Sequence, residues 1–180
     1  MTPKVVLGVS GSIAAYKAAD IISGLKKENC DIHVAMTDAA TRFITPLTLQ
    51  TLSKNKVSTT IFQEECPNEV KHISLAEQAD LFLVAPATAN IIGKFAGGIA
   101  DDMLSALFLA VQNIPVIIAP AMNTRMYTHP AVVENLAVLA GRGARIIEPK
   151  EAMLACGKRG KGALADVNDI IAAVLQELGV

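Results

Sequence analysis

The sequence predicts a doubly wound α/β domain, in which a parallel sheet is covered by helices on both faces to form a three-layer sandwich. Short β-branched runs alternate along the chain with segments long enough to form helices, and this alternation is typical of βαβ units. The runs are mostly apolar and do not alternate regularly with polar residues, as expected for strands that are buried on both faces. Because the 180 residues contain no repeat and no long linker, we expect a single domain over residues 1–180.

Five strands, with helices between them, follow from this pattern. The strands are predicted at residues 4–9, 31–36, 81–85, 116–119 and 144–147, and the helices at 13–28, 73–79, 103–111, 130–139 and 167–178. Asp166 or Asn168 lies where the cap of the last helix is expected. Ligands of doubly wound sheets bind beyond the carboxyl ends of the strands, so the residues that directly follow each strand are the candidates for a functional site.

The composition excludes several classes of protein. With 52% apolar and 18% charged residues, the chain can form a core and is not disordered. The 16 basic and 17 acidic side chains leave a net charge of −1, which gives no electrostatic footprint for nucleic acid or for an anionic membrane surface. The apolar excess favours a large core or buried subunit interfaces.

One uncharged stretch, residues 103–124, is about as long as a helix that spans a membrane. Gln112, Asn113 and Pro115 interrupt it, and a β-branched run follows, so we expect a short helix and then a strand. The N-terminus has none of the three regions of a signal peptide. We therefore predict a cytoplasmic protein without a membrane partner.

The first candidate for a binding feature is the turn after the first strand, residues 10–15, with the sequence Ser-Gly-Ser-Ile-Ala-Ala. Small residues at a helix N-terminus leave backbone N–H groups that can hold a phosphate, although the same residues also suit an ordinary tight turn. The turn has neither the GK[ST] ending of a Walker loop nor the glycine fingerprint of a dinucleotide site. Asp38, after the second strand, is in place to hold a ribose, but without that fingerprint a mononucleotide such as FMN fits better.

Two polar clusters follow the third and fourth strands, at residues 86–90 and 120–127. They contain Asn90 and Asn123, whose amides can bind a carboxylate or the edge of a flavin ring without adding charge. Asn is also a frequent helix cap after a strand. The two functions are compatible, so both interpretations stay open.

His72 precedes a predicted helix between the second and third strands. An isolated His is more often a surface or cap residue than a catalyst, but its titration near neutral pH makes it the first candidate for proton transfer. His33, inside an apolar strand, and His129, before a proline, have weaker claims.

The three cysteines, Cys30, Cys66 and Cys156, form an odd set without a CxxC pair, so the sequence indicates neither a disulfide framework nor a metal site. Cys156 lies in a glycine-rich segment, residues 154–163, which we expect to be a flexible lid. Three cations lie beside it and either bind an anionic substrate, favour the thiolate, or belong to an exposed basic loop. They are Lys158, Arg159 and Lys161.

Taken in order, these motifs resemble those of the homo-oligomeric flavin-containing cysteine decarboxylases, over nearly the whole chain. The resemblance rests on the turn at 10–15, His72, residues 86–90 continuing into 97–102, the segment 120–127 and the Cys156 loop. It is strongest to the members that decarboxylate a phosphorylated cysteine conjugate in coenzyme A biosynthesis. Two positions depart from the family motifs, and both concern packing around the flavin: Ile91 stands where the family has Thr, and Tyr127 stands where Trp is usual.

The resemblance implies a Rossmann or flavodoxin-like fold that binds FMN, in a trimer or dodecamer with FMN at the subunit contact. The phosphate of FMN is expected on Gly11, Ser12 and Ile13 with the turn of Thr37, Asp38 and Ala39, and its ring near Thr88, Ala89, Asn90, Ile91, Ser105 and Ala121. His72, Asn123 and Cys156 correspond to the active-site base, the residue that binds the substrate carboxylate and the proton donor. Met153, Leu154 and Ala155 are expected to contact the substrate together with Asn123.

The implied reaction runs through thioaldehyde and enethiol intermediates. Oxidation of the CH2–SH group creates an electron sink for the pair that is released when CO2 leaves. Two alternatives in the family are an oxidative decarboxylase of a peptide's C-terminal cysteine, which stops at the enethiol, and a non-catalytic flavin-binding regulatory protein. The presence of Cys156 favours the complete reaction, and the absence of a long acidic extension disfavours the regulatory protein. The length predicts the decarboxylase unit without a fused second domain.

Overall fold

The computed structural model describes residues 2–62, 70–155 and 157–180. Its main sheet consists of β1 (Lys4–Val9), β2 (Asp31–Met36), β3 (Leu81–Ala87), β4 (Val116–Pro120) and β5 (Arg145–Ile146). The strands lie in the order β2-β1-β3-β4-β5, and each neighbouring pair is parallel. This is the strand order of flavodoxin-like sheets, so the predicted doubly wound α/β fold is confirmed.

Helices cover both faces of this sheet. In chain order they are α1 (Ala18–Lys27), α2 (Asp38–Thr41), α3 (Pro46–Ser53), α4 (Lys71–Gln78), α5 (Ala89–Gly97), α6 (Met103–Ala110), α7 (Thr124–Tyr127), α8 (Pro130–Gly141) and α9 (Val167–Leu178). One core lies between the sheet and α1, α3 and α9, and the other lies between the sheet and α4, α5, α6 and α8. Val5 and Leu7 of β1 are buried in the first core and Val6 in the second, because successive side chains of a strand point to opposite faces.

The predicted elements lie where the structure has them, but the ends of some strands and the type of one helix differ. Residues 4–9 and 31–36 form strands as predicted, whereas β3 and β4 continue past their predicted ends to Ala87 and Pro120. The helix predicted at 13–28 begins as a 3-10 turn, Ile13–Lys17, which leads directly into α1. Ser12 caps this turn, since its hydroxyl accepts a hydrogen bond of 3.3 Å from the Ala14 N–H.

The sequence analysis did not predict α5, which has two glycines, Gly93 and Gly97, within nine residues. Glycine lowers helix propensity by about 1 kcal/mol per residue relative to alanine. The helix forms because its apolar side, with Ile91, Ile92 and Phe95, is buried in the second core. Tertiary burial therefore outweighs the local preference here.

The uncharged stretch 103–124 is divided as predicted, into the helix α6 and the strand β4. Asp102 begins α6 as a capping box with Ser105: the Asp102 carboxylate accepts the Ser105 N–H at 2.9 Å, and the Ser105 hydroxyl accepts the Asp102 N–H at 3.1 Å. Among the residues that the structure describes, no helix combines the length and the apolar character needed to cross a bilayer.

A second, smaller sheet takes up half of the predicted flexible lid. β6 (Lys150–Met153) pairs antiparallel with β7 (Arg159–Ala163), so the prediction of an open loop over residues 154–163 is wrong for this strand. The glycines have a packing role: a Cβ at Gly160 would overlap the Thr124 side chain, and a Cβ at Gly162 would overlap the Met122 carbonyl oxygen. The hairpin formed by β6 and β7 can approach the start of α7 because these positions carry no side chain.

Candidate active site

A cavity of about 520 Å3 lies at the carboxyl ends of β1, β3 and β4. Its size is that of an ordinary small-molecule site, and its place beside β1 and β3 is where flavodoxin-like sheets bind ligands. Four parts of the chain form its walls: the turn after β1, the segment after β3, the segment after β4, and the hairpin of β6 and β7. The lining residues are Gly11, Ser12, Ile13, Ala14, Tyr16, Lys17, Thr88, Ala121, Met122, Asn123, Met126, Met153, Leu154, Ala155, Gly162, Ala163 and Leu164.

Ser10 joins the turns that follow β1 and β3. Its hydroxyl donates a 2.7 Å hydrogen bond to the Pro86 carbonyl oxygen and accepts a 2.9 Å hydrogen bond from the Thr88 N–H. The Ser10 side chain is buried, so these bonds satisfy polar groups that water does not reach. This residue holds two walls of the cavity in fixed relation, and the sequence analysis included it only as part of the turn at 10–15.

The phosphate-binding turn proposed from the sequence, Gly11 to Ile13, lines the cavity. The turn at residues 37–39 packs behind it, because a Cβ at Gly11 would lie 2.5 Å from the Ala39 Cβ. Thr37 caps α2, and its N–H donates to the Val9 carbonyl oxygen at 3.1 Å. Residues 37–39 therefore support the turn, although they are not among the residues that line the cavity.

The polar cluster after β3 divides between the cavity and the second core. Thr88 lines the cavity and caps α5, since its hydroxyl accepts the Ile91 N–H at 3.4 Å. The prediction that Asn90 caps this helix is wrong: it lies two residues past the cap, and it is exposed. Ile91 and Ser105 are fully buried away from the described lining.

Asn123 lines the cavity and also caps α7, as both interpretations of this residue required. Its Oδ1 accepts a 2.9 Å hydrogen bond from the Arg125 N–H. The neighbouring Met122 N–H donates to the Gly162 carbonyl oxygen at 2.9 Å. The Asn123 cap and the backbone hydrogen bond between Met122 and Gly162 together hold the segment after β4 against the hairpin of β6 and β7.

Met153, Leu154 and Ala155, which the resemblance assigns to substrate contact, line the cavity at the end of β6. The Leu154 N–H donates to the Lys158 carbonyl oxygen at 2.9 Å, which closes the tip of the hairpin. Cys156, the expected proton donor, lies outside the residues that the structure describes.

The cations of the glycine-rich segment are not among the described residues that line the cavity. Lys161 pairs with Glu148 at 2.5 Å, and Arg159 pairs with Glu151 at 3.2 Å. Tyr127 joins the first pair by donating a 2.8 Å hydrogen bond to Glu148. The contact with Lys161 lowers the pKa of Glu148, while burial and the adjacent carboxylate raise the pKa of Tyr127.

His72 is the second residue of α4, which packs in the second core. It is not among the lining residues within this one chain. Its Nδ1 atom is buried and has no hydrogen-bond partner among the described residues. The other two histidines have structural contacts: His33 contacts Asp31 at 2.9 Å, and the His129 ring caps α8.

The chemistry of the cavity lining fits a flavin mononucleotide. Backbone from Gly11 to Ala14 forms one side, where N–H groups at the start of a helix suit a phosphate. Ile13, Met122 and Met153 give an apolar lining of the kind that suits a planar ring. Among the described lining residues Lys17 is the one charged side chain, and the sequence analysis missed it because a single Lys on a helix has no motif around it.

A flavodoxin-like sheet with such a cavity defines the class of mononucleotide-binding α/β proteins. The family model described as Flavoprotein matches residues 1–179, so the chain belongs to the Flavoprotein family. A flavin is therefore the cofactor that this family membership supports, and the resemblance seen in the sequence is confirmed.

Relatives agree with this assignment. The chain is 49% identical over 179 residues to a probable phosphopantothenoylcysteine decarboxylase of Streptococcus mutans, covering 99% of this chain and 100% of that protein. It is 52% identical over 167 residues to the coenzyme A biosynthesis bifunctional protein CoaBC of Bacillus subtilis, covering 93% of this chain and 41% of that longer protein. A solved PPC decarboxylase mutant complexed with pantothenoylaminoethenethiol superposes with a TM-score of 0.89 at 30% identity over 100% of both chains. The FMN-dependent cysteine decarboxylase SpaF superposes with a TM-score of 0.85 at 31% identity, over 99% of this chain and 98% of that one.

Proposed function

We propose that this protein is a phosphopantothenoylcysteine decarboxylase, which uses FMN to convert 4′-phosphopantothenoylcysteine to 4′-phosphopantetheine in coenzyme A biosynthesis. The observation that carries the proposal is the cavity itself, in which the turn at Gly11, the Asn123 amide and the segment from Met153 to Ala155 meet. The near full-length relative in Streptococcus mutans supports the same activity. Residues 1–180 act as a single FMN-binding decarboxylase domain, in the cytoplasm.

FMN would be held with its phosphate on the turn from Gly11 to Ile13 and its ring against Thr88 and Ala121. When bound, it supplies reversible hydride acceptance, which turns the substrate's CH2–SH carbon into the electron sink that decarboxylation requires. The turn serves this purpose because Ser10 ties it to the end of β3. A rigid anchor keeps the reacting carbon at a constant position during the reaction.

Asn123 orients the substrate carboxylate. Its NH2 group is the part of the amide that can donate to a carboxylate, because Oδ1 accepts from the Arg125 N–H. A neutral donor binds the carboxylate less tightly than a cation would, so the carboxylate is not over-stabilised before CO2 leaves. Cys156 would then donate a proton while the hydride taken up by the flavin would return to the enethiol, which balances the formation of the product, and Met153 to Ala155 would exclude water around the substrate.

His72 acts as the base that removes the thiol proton, in a homo-oligomer that is a trimer or dodecamer with FMN at the subunit contact. Two observations support an intersubunit site. The His72 ring is outside the cavity lining of its own chain, and the mouth of the cavity exposes apolar side chains, with Ile13 exposed by 62%, Tyr16 by 56% and Met153 by 69%. Apolar surface of this kind is typical of an interface.

The activity is tested by incubating the flavin-loaded protein with 4′-phosphopantothenoylcysteine and following the product by mass spectrometry. Loss of CO2 alone is expected. Loss of CO2 together with two hydrogens would instead identify an oxidative decarboxylase, and an unchanged substrate with flavin bound would favour a non-catalytic flavoprotein. Cys156→Ser should divert the product to the enethiol, and a Ser variant that still makes reduced product at the normal rate would contradict the role of Cys156.

The intersubunit site is tested with two variants that each lack one residue, His72→Asn and Asn123→Asp. Each alone is expected to keep its yellow flavin and lose turnover. Mixed oligomers, formed by refolding the two variants together, should regain part of the activity, because some sites then combine an intact His72 from one chain with an intact Asn123 from another. No recovery in mixed oligomers that are verified by mass would place both residues in one subunit's site.

A further inference from the structure

The hairpin of β6 and β7 forms one wall of the cavity, yet little buried surface holds it there. Among the residues of these two strands, all of which the structure describes, Gly162 is the one buried position. Its carbonyl oxygen accepts the 2.9 Å hydrogen bond from the Met122 N–H. The Thr124 hydroxyl lies against Gly160 and is buried with no hydrogen-bond partner among the described residues, which opposes docking of the hairpin. A segment with so few buried contacts opens easily unless other groups hold it.

A second contact ties the hairpin to the body of the domain through polar side chains. The Glu148 Oε2 atom accepts a 2.8 Å hydrogen bond from the Tyr127 hydroxyl and lies 2.5 Å from the Lys161 Nζ atom. The Lys161 Nζ atom also lies 5.7 Å from the centroid of the Tyr127 ring, within the range of a cation–π contact. Each of these three residues therefore contacts the other two, and we call the group the latch.

The latch joins three separate parts of the chain. Tyr127 ends α7 and packs against the second core, Glu148 lies in the connection between β5 and β6, and Lys161 lies in the middle of β7. β7 pairs with β6, whose last residue, Met153, lines the cavity. The position of Lys161 is therefore transmitted to the cavity wall through the paired strands.

A neighbouring ion pair shows by contrast what is particular to the latch. Arg159 of β7 pairs with Glu151 of β6 at 3.2 Å, so both partners move together with the hairpin. The latch instead has one partner, Tyr127, in the body of the domain. Tyr127 stands where the family motif usually has Trp, so its hydroxyl donor is a feature of this chain.

We propose that the latch of Tyr127, Glu148 and Lys161 positions the hairpin against the cavity and thereby sets how tightly the site binds its substrate. Its members are positioning residues: they are not among the described residues that line the cavity, and they act through Met153. The proposal rests on the proposed function for the identity of the substrate. It goes beyond it by assigning the residues that hold the substrate wall in place.

The test follows the docking of the hairpin directly. The Lys161 and Glu148 side chains are 50% and 64% exposed, so water screens their attraction and the effect of removing it is small. In Lys161→Met and in Tyr127→Phe, the Met122 amide should exchange about two- to fivefold faster with solvent deuterium, since its acceptor belongs to β7. The dissociation constant of 4′-phosphopantetheine, measured by isothermal titration calorimetry on the flavin-loaded protein, should rise by up to the same factor, because the ligand must then select a docked hairpin that is less populated.

Three further variants separate the latch from general destabilisation. Lys161→Arg keeps a cation beside Glu148 and should restore both values. Arg159→Gln removes an exposed ion pair within the hairpin and should leave both values unchanged. In a Glu148→Ala background, Lys161→Met should have little further effect, because the shared partner is already gone.

Equal exchange of the Met122 amide in wild type, Lys161→Met and Tyr127→Phe would overturn the proposal, as would full additivity of Glu148→Ala and Lys161→Met. Faster exchange with unchanged ligand binding would also overturn it, since the hairpin would then open without affecting the site. None of these measurements depends on turnover. Absent decarboxylation together with the expected latch effects would therefore contradict the proposed function alone.

Discussion

Replacing Gly162 with alanine is expected to detach the hairpin of β6 and β7 from the start of α7. Gly162 has a φ of +153°, and a Cβ there would overlap the Met122 carbonyl oxygen and lie 3.3 Å from the Thr124 nitrogen. All the crowding atoms belong to the backbone, so no side-chain rotation relieves it. The hydrogen bond from the Met122 N–H to the Gly162 carbonyl oxygen, at 2.9 Å, would be lost as well.

The magnitude follows from three contributions. Strain at this φ costs about 1–3 kcal/mol, overpacking costs about 1–3 kcal/mol, and the hydrogen bond contributes about 1 kcal/mol, so the expected loss is roughly 5 kcal/mol. The matched control is Gly143→Ala, at a φ of +95° with no atom within 4 Å of the added Cβ. That variant should lose only the strain, roughly 1–2 kcal/mol.

The assay combines urea denaturation with hydrogen exchange of the hairpin amides and the KM for substrate. Gly162→Ala should expose the amides of β7 to exchange and raise KM, because Met153 to Ala155 then leave the cavity wall. If only the hairpin detaches and the rest of the domain remains folded, the loss in the free energy of unfolding cannot exceed the free energy that docking the hairpin contributes. Equal stability of Gly162→Ala and Gly143→Ala, with protected amides and unchanged KM, would refute the packing argument.

A third variant separates backbone from side-chain crowding. A Cβ at Gly160 would overlap only the Thr124 side chain, and the Thr124 hydroxyl is buried with no hydrogen-bond partner among the described residues. Gly160→Ala should therefore be destabilising alone and be largely rescued by Thr124→Ala. Gly162→Ala should not be rescued by that second change, and a rescue would show that the backbone around Met122 moves freely.

Two further predictions concern the cavity walls and their pH dependence. Ser10→Ala should cost roughly 2 kcal/mol in the free energy of unfolding, because the Thr88 N–H and the Pro86 carbonyl oxygen each lose a buried hydrogen-bond partner. A titration that shows unchanged FMN affinity would contradict the role of Ser10 in fixing the two turns. Lys161→Met should lower the free energy of unfolding at neutral pH by about 0.5 kcal/mol, since the pair with Glu148 is exposed. The Lys161 contact lowers the pKa of Glu148 from its ordinary 4.5. The difference in the free energy of unfolding between wild type and variant should therefore be complete above pH 4.5 and vanish as the pH falls through the lowered pKa. A constant difference down to strongly acidic pH would exclude this ion pair as its source.

The sequence by itself determined the sheet, because strand formation here depends on runs of residues that can be recognised locally. Residues 4–9 and 31–36 are mostly apolar, as expected for strands that are buried on both faces. The same reasoning placed the candidate ligand turns, since the carboxyl ends of parallel strands lie at one edge whatever the details of the helices.

The candidate site was predicted in part for the same reason. Gly11, Thr88 and Asn123 each lie within three residues of the end of a strand, and they line one cavity in the structure. His72 was selected by its chemistry, and its distance from the cavity of its own chain depends on which face α4 covers. Chain order alone does not specify that face, because the right-handed crossover rule assigns it only when the order of the strands in the sheet is known.

Only the tertiary structure decided what the glycine-rich segment does and which cation meets the cavity. In the sequence Gly160 and Gly162 suggest a flexible segment, whereas in the fold Gly160 lies against the Thr124 side chain and Gly162 lies against the backbone of the segment after β4. The sequence alone does not distinguish Lys161 from Lys17. In the structure Lys161 forms an ion pair with Glu148, whereas Lys17 lines the cavity. Contacts of this kind join residues far apart in the chain, so local composition carries no record of them.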